Sequence, residues 1–495
     1  MSKEILNNSD EIKNKVNNAT KWSFFTEILA KIIVPLTNTI LAHILLPEAF
    51  GVIATINMVI SFTDVLTESG FGQYLIQHDF ENEKEYQQYV DVAFWSNFGI
   101  SVLIWIIIVT FKSSISSLVG SKGYEIPLVV ACLAIPITSF SAIPTAVLQR
   151  MLDYRSLFFN RLAGSLTPLI VSTTLALLGF DYWSLIIGTL CSHVVKAIVL
   201  ITRAKWHPHL YYSITQLKQM LSYSIWILLE AIAMWATTWS DIFIVSRALG
   251  SYYIGLYKTA QTTVTGILSV VTASVNSIVF VTLAKYKDNK KSFDEFFYSM
   301  QKKLAIIVVP MGVGIFLFQD LITYILLGSK WIEAAPFLGL WGLCMSLVAT
   351  MGTFCREALR AKGLPKTSLV VQTLHLVFII PVVLIGIRYG YYTLIKIRSF
   401  AYLEVILLLH FAARAKLSLN PMIIYKNTIW PIVCATIMGI AGAQIRNCYS
   451  GGMIGEFVII LICIIIYFLI LSISTQYRNM LIHIYLGIVS KVKKR

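Results

Sequence analysis

The sequence predicts an all-α integral membrane protein of about fourteen transmembrane helices, arranged as two pseudo-symmetric six-helix lobes plus two C-terminal helices. Three observations predict it. Apolar residues make up 57% of the 495 residues and mean hydropathy is +0.73, far from the balance of a soluble domain. Apolar runs of about 20 residues, the length a helix needs to cross hydrocarbon, recur along the whole chain. A short stretch also repeats. Leu249–Leu256 (LGSYYIGL) can be laid on Leu45–Val52 (LLPEAFGV) without a gap, and each opens an apolar helix carrying a polar seam.

The expected spans are 22–44, 48–70, 89–111, 126–148, 160–180, 183–202, 219–242, 253–283, 303–323, 335–355, 368–387, 391–412, 428–445 and 454–473. They divide the chain into a cytoplasmic N-terminal tail (1–21), an N-terminal six-helix lobe (22–202), and a cytoplasmic linker (203–218). A second six-helix lobe (219–412), two additional helices (427–473) and a basic cytoplasmic tail (474–495) follow. With both termini in the cytoplasm, 29 of the 40 Lys and Arg fall on cytoplasmic segments. Six (Lys112, Lys122, Arg247, Lys330, Arg388 and Arg446) fall on the opposite side, the asymmetry that the positive-inside rule requires. The net charge of +15 is therefore a topology signal and does not point to nucleic acid. The tail Lys491–Arg495 (KVKKR) suits anionic lipid headgroups.

The N-terminus reads as no signal peptide, because the chain is polar to Lys21 and the first apolar run is long enough to remain a span. Several classes of chemistry are excluded. The seven cysteines are scattered, and His43, His193, His375 and His410 share no metal spacing, so both sets read as packing residues. No P-loop, dinucleotide fingerprint, nucleophile elbow or zinc signature occurs. The expectation is no cofactor, no metal, no direct use of ATP and no enzyme active site.

The charges inside the spans carry the functional reading. Asn57, Ser61, Asp64 and Glu68 fall at i, i+4, i+7 and i+11 and share one helical face. A carboxylate facing lipid costs roughly 2.5 kcal/mol or more, so this face belongs against a bundle interior or a water-filled cavity. The second seam is Lys258, Gln261, Thr262, Thr265, Ser269, Thr272 and Asn276. Two matched halves with polar seams are the plan of a transporter.

The cations expected to bind an anionic substrate are Lys31, Lys258, Arg247, Lys196, Lys396 and Arg398. Each has an alternative reading. Lys31 can pair with Glu27, Lys196 and Lys258 can snorkel to an interface, Arg247 can anchor one, and Lys396 and Arg398 can pair with Glu404. Asp64, Glu68, Glu230 and Asp241 are the coupling-ion candidates, since a carboxylate out of water favours its protonated form. Their alternative is pairing with lysines and arginines across the cavity. Asn38, Asn57, Gln261 and Thr265 are the expected neutral cavity residues.

Several motifs stand in a fixed order: Glu68–Ile76 (ESGFGQYLI), Phe94–Asn97 (FWSN), Gln149–Arg155 (QRMLDYR), Gly179–Leu185 (GFDYWSL) and Trp206–Pro208 (WHP). Leu249–Tyr257 (LGSYYIGLY), Leu327–Trp331 (LGSKW) and Leu359–Gly363 (LRAKG) continue them. Together they resemble the bacterial polysaccharide transporter family, flippases of the multidrug/oligosaccharidyl-lipid/polysaccharide exporter superfamily. The branch of lipopolysaccharide and colanic acid exporters is the most similar. The resemblance covers nearly the whole chain. It departs at Glu68, where the family often has Asp, and near Val281, where the family's Pro is missing.

The resemblance implies two lobes packed as a V around a central, often cationic cavity in the bacterial cytoplasmic (inner) membrane. It implies alternating-access transfer of an undecaprenyl-pyrophosphate-linked oligosaccharide (an O-antigen, capsule or exopolysaccharide repeat unit), coupled to a proton or sodium ion. Its implied partners are that lipid carrier, membrane lipids, a polysaccharide polymerase and a chain-length regulator. A drug/cation antiporter of the same superfamily is the alternative, disfavoured by the seam lysines, because cationic drugs prefer an acidic cavity. A membrane polysaccharide polymerase or glycosyltransferase would want a sizeable extracytoplasmic loop, which the spacing of the spans leaves no room for.

Overall fold

The computed structural model describes residues 22, 26, 32–68, 71–204, 207–448 and 452–482. Among these, helix is the only regular structure. The chain forms two compact units, Met1–Thr259 and Ala260–Arg495.

The first unit holds α1 (Ile32–Ile44), α2 (Pro47–Glu68), α3 (Phe71–Gln77), α4 (Glu83–Thr110), α5 (Lys112–Leu118) and α6 (Glu125–Ala131). It continues with α7 (Ala134–Arg150), α8 (Tyr154–Leu177), α9 (Asp181–Ala204), α10 (Ile214–Ala248) and the first turns of α11 (Ser251–Lys285). The second unit holds the rest of α11, α12 (Lys290–Leu317), α13 (Gln319–Leu326), a 3₁₀ turn (Ser329–Ala334) and α14 (Ala335–Leu347). A π-helical segment (Val348–Thr353) joins α14 to α15 (Phe354–Ala361). Then come α16 (Pro365–Arg388), α17 (Tyr391–Ala401), α18 (Glu404–Leu417), α19 (Pro421–Cys448) and α20 (Gly452–Leu471).

The described parts of the expected spans are largely helical, with turns inside three of them at Cys132–Leu133, Phe318 and Tyr402–Leu403. Nine helical stretches among the described residues are long and apolar enough to cross a membrane by themselves, which makes this a multi-pass membrane protein. Others are diluted or broken. α10 and α11 run for 35 residues each and carry polar side chains along their length. The expected twelfth span is divided at Tyr402–Leu403 into pieces of 11 and 14 residues.

Small residues set the closest approaches in the first unit. α8 and α9 form an antiparallel hairpin turned by Gly179 at φ +83°, a backbone shape that a side chain disfavours. The hairpin is held by Ser192 Oγ donating to the Gly164 carbonyl at 2.7 Å and by Gly188 lying against Ser172. Close backbone approach through small residues is the usual basis of helix pairing in lipid.

The repeated stretch forms a second such contact. A Cβ on Gly51 would overlap the carbonyl oxygen of Ser251, and a Cβ on Gly255 would overlap that of Pro47. Pro47 and Gly51 align with Ser251 and Gly255 in the sequence repeat, so α2 and α11 cross through equivalent residues, each taking the other's role. α10 pins α2 further along: Trp235 Nε1 donates to Ser61 Oγ at 3.1 Å and to the Met58 carbonyl at 3.3 Å, and its ring meets Phe62.

Two polar clasps finish this unit. Arg150 Nη1 donates to the carbonyls of Leu75, Ile76 and His78, closing the C-terminal end of α3, while its guanidinium lies over Phe80 and Tyr86. The segment before α10 is stitched to α4. Trp95 Nε1 donates to the His209 carbonyl at 2.8 Å, and the His209 N–H donates to Asp91 Oδ1 at 3.2 Å.

In the second unit the π-helical segment leaves backbone acceptors that its neighbours use. Gln301 Nε2 donates to the Thr350 carbonyl and to Thr428 Oγ1, and Asn427 Nδ2 donates to Gln301 Oε1. His410 Nε2 lies 3.0 Å from the Met351 carbonyl and Nδ1 lies 3.1 Å from Tyr425 Oη. A carbonyl only accepts, so Nε2 carries the proton and Tyr425 donates to Nδ1.

Gly51→Ala and Gly255→Ala should each lower the stability of the detergent-solubilised protein by about 1–3 kcal/mol, because a methyl group must push two backbones apart. Gly250→Ala, where a Cβ would meet nothing within 4 Å, should not. Thermal unfolding of the three variants in one detergent checks the difference.

Candidate functional site

The first unit holds an open cavity of about 640 Å³ between α3, α4, α7, α8 and α9. That is within the roughly 300–1,000 Å³ range of small-molecule sites. Its walls are polar although the helices are apolar overall. On α7, Thr138, Ser141, Thr145 and Gln149 fall at i, i+3, i+7 and i+11 and so share the face that lines it. The Thr145 hydroxyl donates to the Ser141 carbonyl at 2.6 Å and that of Thr138 to Ile135 at 2.8 Å, which leaves their lone pairs free to accept.

Asp153 starts α8, its carboxylate accepting from the Ser156 N–H at 3.1 Å and the Ser156 hydroxyl at 2.7 Å. About two turns later α8 brings Asn160 and Arg161 to the cavity. His193 and Lys196, at i and i+3 on α9, face them, and α3 adds Gln73. Asn97 on α4 lies on another wall, its Oδ1 accepting from Ser101 and Ser139 at 3.3 Å each.

Two buried atoms of lining residues, Ser141 Oγ and Asn160 Oδ1, have no hydrogen-bond partner among the described residues. Unsatisfied polar atoms are uncommon in native structures and call for an explanation. Among the described lining residues none is a carboxylate. Two cations, four side-chain amides and several hydroxyls suit a ligand that is both anionic and rich in hydroxyl groups. Among the described residues no group of three or more His, Cys, Asp or Glu could hold a metal.

Of the residues singled out in the sequence, Lys196 lines this cavity, and so does His193, which the sequence marks as a packing residue. Lys258 lies elsewhere in the first unit, its ammonium 4.5 Å from the centre of the Trp239 ring. The neighbouring Tyr257 donates to Asp241 Oδ2 at 3.0 Å, and Asp241, 4% exposed, also accepts the Ile242 N–H. Arg247 is exposed in the last turn of α10, over Phe243. Asp64 is half-buried on α2, while Asn38 on α1 and Asn57 on α2 are exposed. In the second unit Gln261 is half-buried and Thr265 exposed, the latter donating to the Gln261 carbonyl. On α17 Lys396 is exposed, whereas Arg398 is 5% exposed and stacks on Trp341 and Tyr402 at 5.0 and 4.9 Å. Lys31 and the side chains of Glu68 and Glu230 lie outside the described residues.

The structure also gathers residues that sequence reasoning passed over. Arg161, Asn160, Gln73 and Gln149 line the cavity but are not among the substrate-binding residues that the sequence predicts. The available signal was the pair Asn160–Arg161 opening an apolar run and the i, i+3 spacing of His193 and Lys196. In the second unit His375 Nδ1 lies 2.9 Å from Glu404 Oε2, joining α16 to α18.

Apolar helices of spanning length around a cavity lined by two cations, amides and hydroxyls define a multi-pass membrane protein with a polar interior site. The fold agrees with known transporters. It is shared with lipid II flippase MurJ in an inward closed conformation (TM-score 0.76, 17% identity, covering 94% of this chain and 99% of that one). An inward-facing multidrug resistance MATE family transporter of the MOP superfamily also shares it (TM-score 0.62, 16% identity, 78% and 94%). Residues 40–336, more than half of the chain, match the model of the polysaccharide biosynthesis protein family, and the chain belongs to that family.

Among curated relatives, the succinoglycan biosynthesis transport protein ExoT of Rhizobium meliloti (strain 1021) is 24% identical over 64% of each chain. The chain thus spans just under two thirds of that relative's length. The lipopolysaccharide biosynthesis protein WzxC of Escherichia coli (strain K12) is 21% identical over 76% of each chain.

His375→Phe should destabilise the protein by about 1–3 kcal/mol, since it removes the donor that faces Glu404 and leaves a half-buried carboxylate behind. His375→Phe combined with Glu404→Leu should recover part of that loss. Thermal unfolding of the single and double variants measures the coupling.

Proposed function

We propose that this protein is a flippase that moves a lipid-linked oligosaccharide from the inner to the outer leaflet of the bacterial cytoplasmic membrane. The observation that carries the proposal is the 640 Å³ cavity of the first unit, whose walls combine Arg161 and Lys196 with amides and hydroxyls. A glycan on a polyprenyl diphosphate needs that combination: cations for the diphosphate and neutral hydrogen-bonding groups for sugar hydroxyls. The names of the relatives ExoT and WzxC, in succinoglycan transport and lipopolysaccharide biosynthesis, support the same substrate class.

In this proposal both termini are cytoplasmic, so the start of α8 and the end of α9 put the cavity at the inner leaflet, where such an intermediate is assembled. Loading takes place there, and alternating access between the two repeats carries the headgroup across while the polyprenyl tail stays in lipid. Lys31, Lys258, Arg247, Lys396 and Arg398 are the further cations proposed along the route. Asp64, Glu68, Glu230 and Asp241 are proposed to take part in coupling to a proton or sodium ion.

Deleting the gene should cause the lipid-linked glycan to accumulate with its sugar facing the cytoplasm, measured by enzymatic labelling of spheroplasts before and after permeabilisation. Normal surface glycan in the deletion strain would sink the proposal. Lys196→Ala and Arg161→Ala should each lower export in complementation about tenfold or more, for loss of a charge-assisted contact, at unchanged levels of inserted protein.

A further inference from the structure

The side chain of Lys196 does not leave α9 at a free angle. Its stem lies across α8 at Gly164. A Cβ built on Gly164 would overlap Lys196 Cε and lie 2.8 and 3.0 Å from its Cγ and Cδ, and these three are the nearest atoms it would meet. The groove exists because α8 and α9 are drawn together there, with Ser192 Oγ donating to the carbonyl of the same glycine at 2.7 Å. Lys196 and Arg161, three residues before Gly164 on α8, both line the cavity.

We propose that Gly164 is a positioning residue: its missing side chain lets the Lys196 stem cross α8 and bring the ammonium beside Arg161, making a two-cation seat for a phosphate-bearing headgroup. The assignment rests on the functional reading above for its ligand class, while the steric argument stands on the geometry alone. The obstacle that a methyl group would meet is a flexible side chain and no backbone atom, so Gly164→Ala is expected to fold. Its cost falls on where the ammonium goes. A role in helix packing would persist whatever stands at 196. A role exerted through Lys196 vanishes once Lys196 is gone.

The test uses the full-length protein in nanodiscs with inorganic pyrophosphate as the probe, measured by calorimetry. Vesicles of phosphatidylcholine carrying a polyprenyl diphosphate serve as a competitor. Gly164→Ala and Lys196→Ala should each weaken pyrophosphate binding about tenfold, the loss expected for one charge-assisted contact. Gly164→Ala in the Lys196→Ala background should change nothing further, and Lys196→Arg should retain binding. Wild-type affinity in Gly164→Ala, or an additional loss from it in the Lys196→Ala background, overturns the positioning role. Should Gly164→Ala fail to accumulate, the double variant with Lys196→Ala must restore folding, and its failure to do so also overturns it.

No saturable pyrophosphate binding by the wild type overturns the anion seat. Binding that the vesicle-borne diphosphate does not compete with overturns a lipid-carried ligand. If the deletion strain accumulates the inward-facing glycan while these variants bind as wild type, the proposed function stands and only this inference falls.

Discussion

The first unit depends on how near two backbones can come. At Gly51 and Gly255 the answer is contact: each α-carbon faces the carbonyl of the residue four positions before its counterpart. Lipid offers no hydrophobic drive for helix pairing, since the chains around a helix are as apolar as its own leucines. What remains is dispersion and fitted shape, and both fall off within a fraction of an ångström. The same device recurs between α8 and α9, where Gly164 and Gly188 receive a lysine stem and a serine. Small residues thus do two jobs in this protein. They bring helices together, and they decide where the side chains of the next helix go.

A second theme is how charge is kept in an apolar setting. Arg398 lies between two aromatic rings, Lys258 faces Trp239, and Lys302, itself buried, has its ammonium 4.1 Å from the centre of the Tyr477 ring. Arg150 combines three carbonyls with two rings. A ring face attracts a cation without bringing a counter-charge, and the interaction strengthens when water is excluded. The cavity of the first unit is organised otherwise, with its cations among amides and hydroxyls, which is the surrounding a solvated solute would find.

Much of this was legible in the sequence. Hydropathy located helices because every backbone group must be bonded within its own segment in lipid, which ties apolar length to helix. The repeat was visible too, but an alignment reports equivalence and not proximity, so the meeting of Gly51 with Gly255 could not be read from it. Lys196 stood out as a cation inside a span. Arg161 did not, because a basic residue at a span end serves the topology rule and a binding site equally well. His375 and Glu404 are 29 residues apart on different helices. Periodicity says which face a residue occupies and is silent about what faces it.

The irregular turn at Val348–Thr353 bears on rotational phase. A π turn spends one residue more than an α turn, so side chains beyond it are rotated by about 100° from where a regular helix would carry them. α14, which packs on α12 and α17, and α15, which packs on α16 and α18, therefore share an axis without sharing a stripe. One rod of the bundle behaves as two short ones that share α12 but otherwise meet different neighbours, and the dislocation between them is where Gln301 and His410 take hold.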